Sequence, residues 1–477
     1  MREGATDYTA HAMNGPGQPI AKVNLTELLE NSDVGPLQIR VFALCLLCLI
    51  MDGFDVQALG YAAPAVVKDF GVGGPALGPV FAAANVGVLI GSLLFGQLGD
   101  KIGRRPVLIG ATLFFSVMTI SVGFAQNVQQ LLWLRMISGL GLGCIIPNAT
   151  ALVGEFSPKR SRVTLTMGIT VGFTAGAAIG GFVSLWLIPL FGWRSVFFVG
   201  GAIPLVIALA MFWSLPESLQ FLAVRRTHLD RLAYWLKKLD PSIRVGPSTE
   251  YVANEQARSG VPFVNLFREG RSTVTILLWV VYFMNLLNLY SLSNWLPTVF
   301  TGMGYSQNAS LLAGTLLQVG GTIGTYGLAW AIARRGFIPV LILTFVIATV
   351  SIALIGQPGL SFATVALIVF IAGWCIVGGQ PGLNTLAATY YPTSLRSTGV
   401  GAGLGVGRLG AIVGPYVGGV MLAQQWSAQE LFWAAAVPAG ISTLVMLALL
   451  GVLGSGIGRR AGTGAPAGAR VPAPLAH

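Results

Sequence analysis

Charge is scarce in this chain. Of 477 residues only 9% are Asp, Glu, Lys or Arg, while 54% are apolar. With a mean hydropathy of +0.74, a soluble globular protein of this size is excluded. Histidine is nearly absent, at three residues, and cysteine numbers four, so no metal-ligand cluster or cofactor site is expected. Cys45-x-x-Cys48 has a redox spacing. It lies in an apolar helix with no βαβ context, which favours small packing residues. No nucleophile–base constellation argues for an enzyme. Residues 1–38 are polar and lack a signal-peptide pattern.

Long apolar runs fill the space that charge leaves. About twelve recur between residues 39 and 453, each long enough to cross a bilayer as a helix. The expected fold is an all-α polytopic membrane protein with 12 transmembrane helices. The net charge of +11 could point to nucleic acid, but its placement says otherwise. Lys101, Arg104, Arg105, Lys159, Arg160, Arg162, Arg334, Arg335, Arg396 and the cluster from Arg225 to Arg271 fall in alternate loops, with Lys68 and Arg194 as exceptions. This positive-inside pattern puts both termini in the cytoplasm and excludes a nucleic-acid partner. The organisation reads as a tail (1–38), a six-helix bundle (39–215), a cytoplasmic linker (216–272), a second bundle (273–453) and a disordered tail (454–477).

An offset of 233–234 residues superposes the two bundles. Asp52 and Asp55 fall on Asn285 and Asn288, and Pro64 on Pro297. Gly139, Pro147, Pro158 and Arg162 meet Gly373, Pro381, Pro392 and Arg396. A 6+6 duplication around a long linker is the architecture of transporters that rock two halves about a midplane site.

Met51-Asp52-Gly53-Phe54-Asp55 lies in the middle of the first apolar run. A carboxylate near a bilayer centre costs at least ~2.5–3.5 kcal/mol. The i, i+3 spacing sets the pair about one turn apart, where two like charges resist ionising together. The stretch is read as a proton-coupling site, with Gly53 giving the backbone room to move. Arg135, inside span 4, needs a partner: Asp52, Asp55 or a substrate carboxylate, unless it snorkels outward. Arg408 lies near the middle of span 11 and could bind a planar carboxylate bidentately or pair with a span-1 acid. Asn285 and Asn288 of span 7 are candidates for ring hydroxyls, or else for interhelical hydrogen bonds. Phe54, Gln318 and Trp374 complete the candidate substrate site.

Between spans 2 and 3, Gly96-Gln97-Leu98-Gly99-Asp100-Lys101-Ile102-Gly103-Arg104-Arg105 fits the G-x-x-x-D-[RK]-x-G-R-[RK] signature of the major facilitator superfamily. Gly96, Asp100, Gly103, Arg104 and Arg105 are its gating candidates, with Asp100 expected to hold a cation or helix end of a neighbouring span. The second-half counterpart at 327–339 lacks the acid, so the latch should be asymmetric. Glu155 is assigned to a charge cluster with Lys159, Arg160 and Arg162. Gly414-Pro415-x-x-Gly418-Gly419 stands in span 11 rather than span 5, which argues against an exporter.

Over residues 35–453 the chain resembles the aromatic acid:proton symporters of the major facilitator superfamily. The match rests on Asp52-Gly53-Phe54-Asp55, the Gly96–Arg105 loop, the Arg135 glycine motif, Pro147-Asn148-Ala149-Thr150 and Pro216-Glu217-Ser218. The resemblance implies uptake of benzoate-type acids (4-hydroxybenzoate, protocatechuate, vanillate or gallate) with protons across a bacterial inner membrane. It also implies that Asp52, Asp55 and Asp100 matter for transport. The expected partners are a small aromatic carboxylate, protons and the lipid bilayer, and the protein is expected to be a monomer. Another organic acid, or a membrane sensor of aromatic acids, is the alternative.

Overall fold

Twelve long helices cross one another in two sets of six. A computed structural model describes residues 9–13, 19–96, 98–225, 229–239, 250–252, 263–392 and 394–454. The spans are Pro36–Phe70 (span 1), Gly78–Phe95 (2), Arg104–Val122 (3), Val128–Phe156 (4), Arg162–Phe191 (5), Arg194–Ser214 (6), Ser272–Gly302 (7), Gln307–Arg335 (8), Phe337–Ile355 (9), Phe362–Tyr390 (10), Arg396–Ala423 (11) and Ala428–Gly454 (12). Among the described residues, ten helices are long and apolar enough to cross a membrane by length and composition. Spans 1 and 8, of 35 and 29 residues, are outside that group and complete the two sixes. Both carry polar residues that the bundle buries, among them Asp52, Asp55 and Gln318.

Packing repeats the duplication. Span 1 lies against 5, 2 against 4 and 3 against 6; in the second half, 7 lies against 11, 8 against 10 and 9 against 12. Among the described residues, spans 1 and 7, 2 and 11, and 5 and 8 join the halves, with a smaller contact between 1 and 8. Their contacts gather toward the ends that carry loops 71–77 and 303–306. There Gly78 lies against Gly419, the Trp295 indole donates to the Pro415 carbonyl (2.8 Å), and Phe81 meets the Trp295 ring edge-on. Toward the other end, Gly401 and Gly405 of span 11 face open space.

Span 4 is not one continuous helix. It breaks after Leu142 and resumes at Ile145. Pro147 has no N–H to return to the Gly143 carbonyl, so the ladder cannot run through. Gly53 also departs from expectation. A side chain there would strike the backbone carbonyl of Phe173 in span 5, so its role is close helix approach rather than freedom to move.

The N-terminal segment and the linker are not separate. β1 (Thr9–Met13) pairs antiparallel with β2 (Pro19–Asn24), and β2 pairs parallel with β3 (Glu250–Val252) of the linker. A short helix, Leu25–Asn31, follows, with Asn24 Oδ1 accepting from the Glu27 N–H (3.3 Å) as its N-cap. Its Leu25, Leu28 and Leu29 are buried, and Glu30 pairs with Arg162 at 3.2 Å. The expected disordered tail, from 455 onward, lies outside the described residues.

Candidate functional site

The proton-site candidates occupy the buried middle of span 1. Asp55 is fully buried and Asp52 is 2% exposed. Asp55 is held on every side: Thr119 of span 3 donates to Oδ1 (2.7 Å), Arg135 NH1 pairs with Oδ2 (2.9 Å), and Arg135 NH2 donates to the Asp55 backbone carbonyl (3.0 Å). The four candidate fates of Arg135 thus reduce to one. At 2% exposure it does not snorkel; it pairs with Asp55 and lies 5.9 Å from the Phe197 ring centre. A buried ion pair survives only with such complete hydrogen bonding.

Asp52 contrasts with it. Its Oδ2 is buried without a hydrogen-bond partner among the described residues. The charge that reaches it from the other half is Arg408. Arg408 itself donates from NH1 to the Tyr290 hydroxyl (3.0 Å) and is partly exposed. Among the described residues it makes no ion pair, so its remaining donors are open to an anion. The two arginines therefore differ in kind: Arg135 is ion-paired within its own half, with only its Nε left unpartnered among the described residues, and Arg408 has no ion pair.

Span 7 supplies the amides. Asn285 Nδ2 donates to Gln380 Oε1 (2.7 Å) and to the Ile376 carbonyl (3.3 Å), leaving Oδ1 unpaired. Asn288, 1% exposed, has neither Nδ2 nor Oδ1 paired. Asn285 thus follows the interhelical reading, and Asn288 keeps both groups for another partner. Gln318 Nε2 donates to Ser293 Oγ (2.9 Å), tying span 8 to span 7. Two aromatic candidates serve as packing knobs. The Phe54 ring closes on Gly180 and Gly200, and Trp374 fills the face of span 8 left bare by Gly324 and Gly327.

The 96–105 loop, the expected latch, closes around the carboxylate of Glu217 from the Pro216-Glu217-Ser218 element. Glu217 Oε1 accepts from the backbone N–H groups of Arg104 (2.9 Å), Arg105 (3.2 Å) and Ser218 (2.9 Å), capping the start of span 3. Gly103 has φ +102° and lies against the Glu217 carboxylate, where a side chain would not fit. Arg105 donates to the carbonyls of Leu215 (2.8 Å) and Phe212 (2.5 Å). Asp100 pairs at 3.2 Å with Arg104, the cation that opens span 3, with its side chain 69% exposed. Arg104 also holds Glu155 at 2.7 Å. Glu155 therefore belongs to this latch and not to the 159–162 cluster, because span 4 ends beside the loop. Thr119 was missed, since one threonine in an apolar span has no distinguishing spacing.

Comparison with known proteins agrees with this architecture. The profile of the Major Facilitator Superfamily matches residues 45–415. The chain is similar to the 4-hydroxybenzoate transporter PcaK of Pseudomonas aeruginosa, with 37% identity over 91% of this chain and 98% of that protein. It is also similar to a gallate transporter of Pseudomonas putida (36%, covering 90% and 95%) and a gentisate transporter of Corynebacterium glutamicum (29%, covering 93% and 96%). Among solved structures, a D-xylose-proton symporter superposes with a TM-score of 0.67 at 16% identity, covering 86% of this chain and 97% of that one. A bacterial homologue of the lysosomal transporter Spinster, inward-facing and unoccupied, superposes at 0.62 with 17% identity, covering 90% and 98%. At these identities the structures bear on fold alone.

Proposed function

The chain belongs to the Major Facilitator Superfamily, and on that premise we propose that it imports small aromatic carboxylates with protons. The observation that carries this reading is the pairing of opposites at the midplane: a buried acid, Asp52, with an unpartnered oxygen, faces the field of an arginine without an ion pair, Arg408. The aromatic-acid relatives set the substrate class. A benzoate-type anion brings its carboxylate to Arg408 and the Tyr290 hydroxyl. A ring hydroxyl meets the free amide of Asn288. Asp52 and Asp55 take up the proton, so that the loaded centre carries no surplus charge.

Alternating access follows from the duplication. The halves touch at the end bearing loops 71–77 and 303–306, which the charge distribution assigns to the outside of a bacterial inner membrane, with both termini in the cytoplasm. The arrangement is that of an inward-open state. Gly96, Asp100, Gly103, Arg104 and Arg105, braced by Glu217 and Glu155, act as the cytoplasmic latch. The rocking units are 39–215 and 273–453, and the working unit is a monomer. One proton with one monoanion is electroneutral, so the pH and substrate gradients drive uptake. A second proton would add about 2.3 kcal/mol per charge per 100 mV.

Counterflow of labelled 4-hydroxybenzoate into proteoliposomes tests the proposal. Exchange that unlabelled protocatechuate or gallate competes away, and accumulation driven by an acidic exterior, are expected. Accumulation of an aliphatic diacid with no exchange of 4-hydroxybenzoate would replace the substrate class; outward-directed pumping would replace the direction.

A further inference from the structure

Arg135, the partner of Asp55, lines a small cavity of about 20 Å³, room for about one water. Its polar lining crosses between the halves: Asn85 of span 2, Arg135 and Ser138 of span 4, and Asn294 of span 7. Asn85 donates its amide hydrogens to the Phe81 carbonyl (3.1 Å) and Asn294 to the Tyr290 carbonyl (2.8 Å). Each keeps an amide oxygen as an acceptor. Arg135 contributes a buried Nε that has no partner among the described residues. Asn294 also belongs to the closed end of the molecule, because Gly60 of span 1 lies directly against Ser293 and Asn294.

We propose that Asn85 and Asn294 are positioning residues that receive the Arg135 guanidinium when Asp55 is protonated, and so tie proton uptake to closure of the outer end. This rests on the proton-site assignment above. The step is a protonation: a proton from the outer phase adds to Asp55 Oδ2, the carboxylate loses its charge, and the ion pair to Arg135 NH1 is discharged. A buried guanidinium cannot remain without acceptors. The acceptors that share its cavity are the amide oxygens of Asn85 and Asn294 and the water that the cavity admits. Bonds to Asn294 then join span 4 of the first half to span 7 of the second. When the proton leaves Asp55 toward the inside, the carboxylate reclaims Arg135. Facing Asp55 are Arg135 from span 4 and Thr119 from span 3; Asp52 stands one turn earlier on the same helix, under the field of Arg408 from span 11.

The test uses the full chain in proteoliposomes with two readouts. First, Thr298→Cys places a thiol beside Gly74 at the closing end, and all four native cysteines are buried, so an impermeant maleimide reports outer accessibility without any substrate. Relative to a free thiol labelled at the same pH, which corrects for the loss of thiolate, labelling of the Thr298→Cys protein should fall about tenfold when the exterior is acidified. Asn85→Leu and Asn294→Leu should remove that pH dependence, and Asn294→Ser, which keeps an oxygen, should retain it. Second, the Leu variants should keep counterflow while losing pH-driven accumulation about tenfold. An unchanged pH profile of labelling in both Leu variants overturns the proposal. So does equal loss of counterflow in the Leu and Ser variants, which makes the amides packing residues. Failure of the Proposed function looks different: the unsubstituted chain then shows no aromatic-acid counterflow at all, whatever the labelling does.

Discussion

The two copies of one helix, spans 1 and 7, have divided their labour. Span 1 keeps Asp52 and Asp55, and span 7 carries Asn285 and Asn288 at the equivalent places. Asp55 is bonded on both oxygens and its backbone carbonyl. Asn288 has nothing on either end of its amide among the described residues. The difference follows from what each group costs. A buried charge without partners is intolerable by several kcal/mol, whereas an unpaired amide costs only about 1–3. A duplicated helix can therefore leave an amide idle for a ligand, but an acid only where a counter-charge or a proton is at hand. Asp52 marks that boundary, with one oxygen unpaired and a distant arginine.

Removing the counter-charge should break the contrast most sharply. Arg135→Met leaves Asp55 buried and unpaired and should cost about 3–5 kcal/mol, read as a lowered unfolding temperature in detergent together with loss of uptake. Adding Asp55→Asn should return most of the stability and none of the proton-driven accumulation; a double variant no more stable than Arg135→Met would show the pair is not the reason. Asp52→Asn and Asp55→Asn should each abolish accumulation while sparing exchange. Asp55→Asn alone should also destabilise, by about 1.5–3 kcal/mol, because only Asp55 is an acceptor for Arg135. pH-dependent uptake that persists in the double Asn variant would end the proton-site assignment.

On the other side of the comparison, Asn288→Leu should leave the protein as stable or slightly more so, since no bond is lost. It should weaken 4-hydroxybenzoate relative to benzoate by about 1 kcal/mol, some fivefold in competition assays. Asn285→Leu breaks the bond to Gln380 and should cost stability instead. The smallest effect belongs to the latch: Glu217→Ala removes the cap of span 3, about 1 kcal/mol, and should slow turnover with little change in apparent affinity.

Much of this was legible in the chain itself. Apolar length, alternation of basic loops and the repeat offset dictate twelve helices in two related sets, because a bilayer leaves a polypeptide few alternatives. The cost of burying charge singled out Asp52, Asp55, Arg135 and Arg408. Partner choice was not legible. Arg135 had three anionic candidates and a route to the interface; only the meeting of spans 1, 3 and 4 around Asp55 decided it. That Phe54 and Trp374 pack on glycines of spans 5, 6 and 8 was not legible either, because those glycines are distant in the chain. Glu217 stood out in Pro216-Glu217-Ser218, but the loop it caps is more than a hundred residues away and gave no sign of the pairing.

What the sequence by itself determined is therefore which groups are too expensive to be accidental, since insertion cost depends on residue type and depth alone. What only the tertiary structure decided is which of them are ion-paired, Asp55 and Arg135, and which are left open, Asp52, Asn288 and Arg408. Hydrogen bonds at 2.7–3.0 Å depend on how helices far apart in the chain are brought side by side.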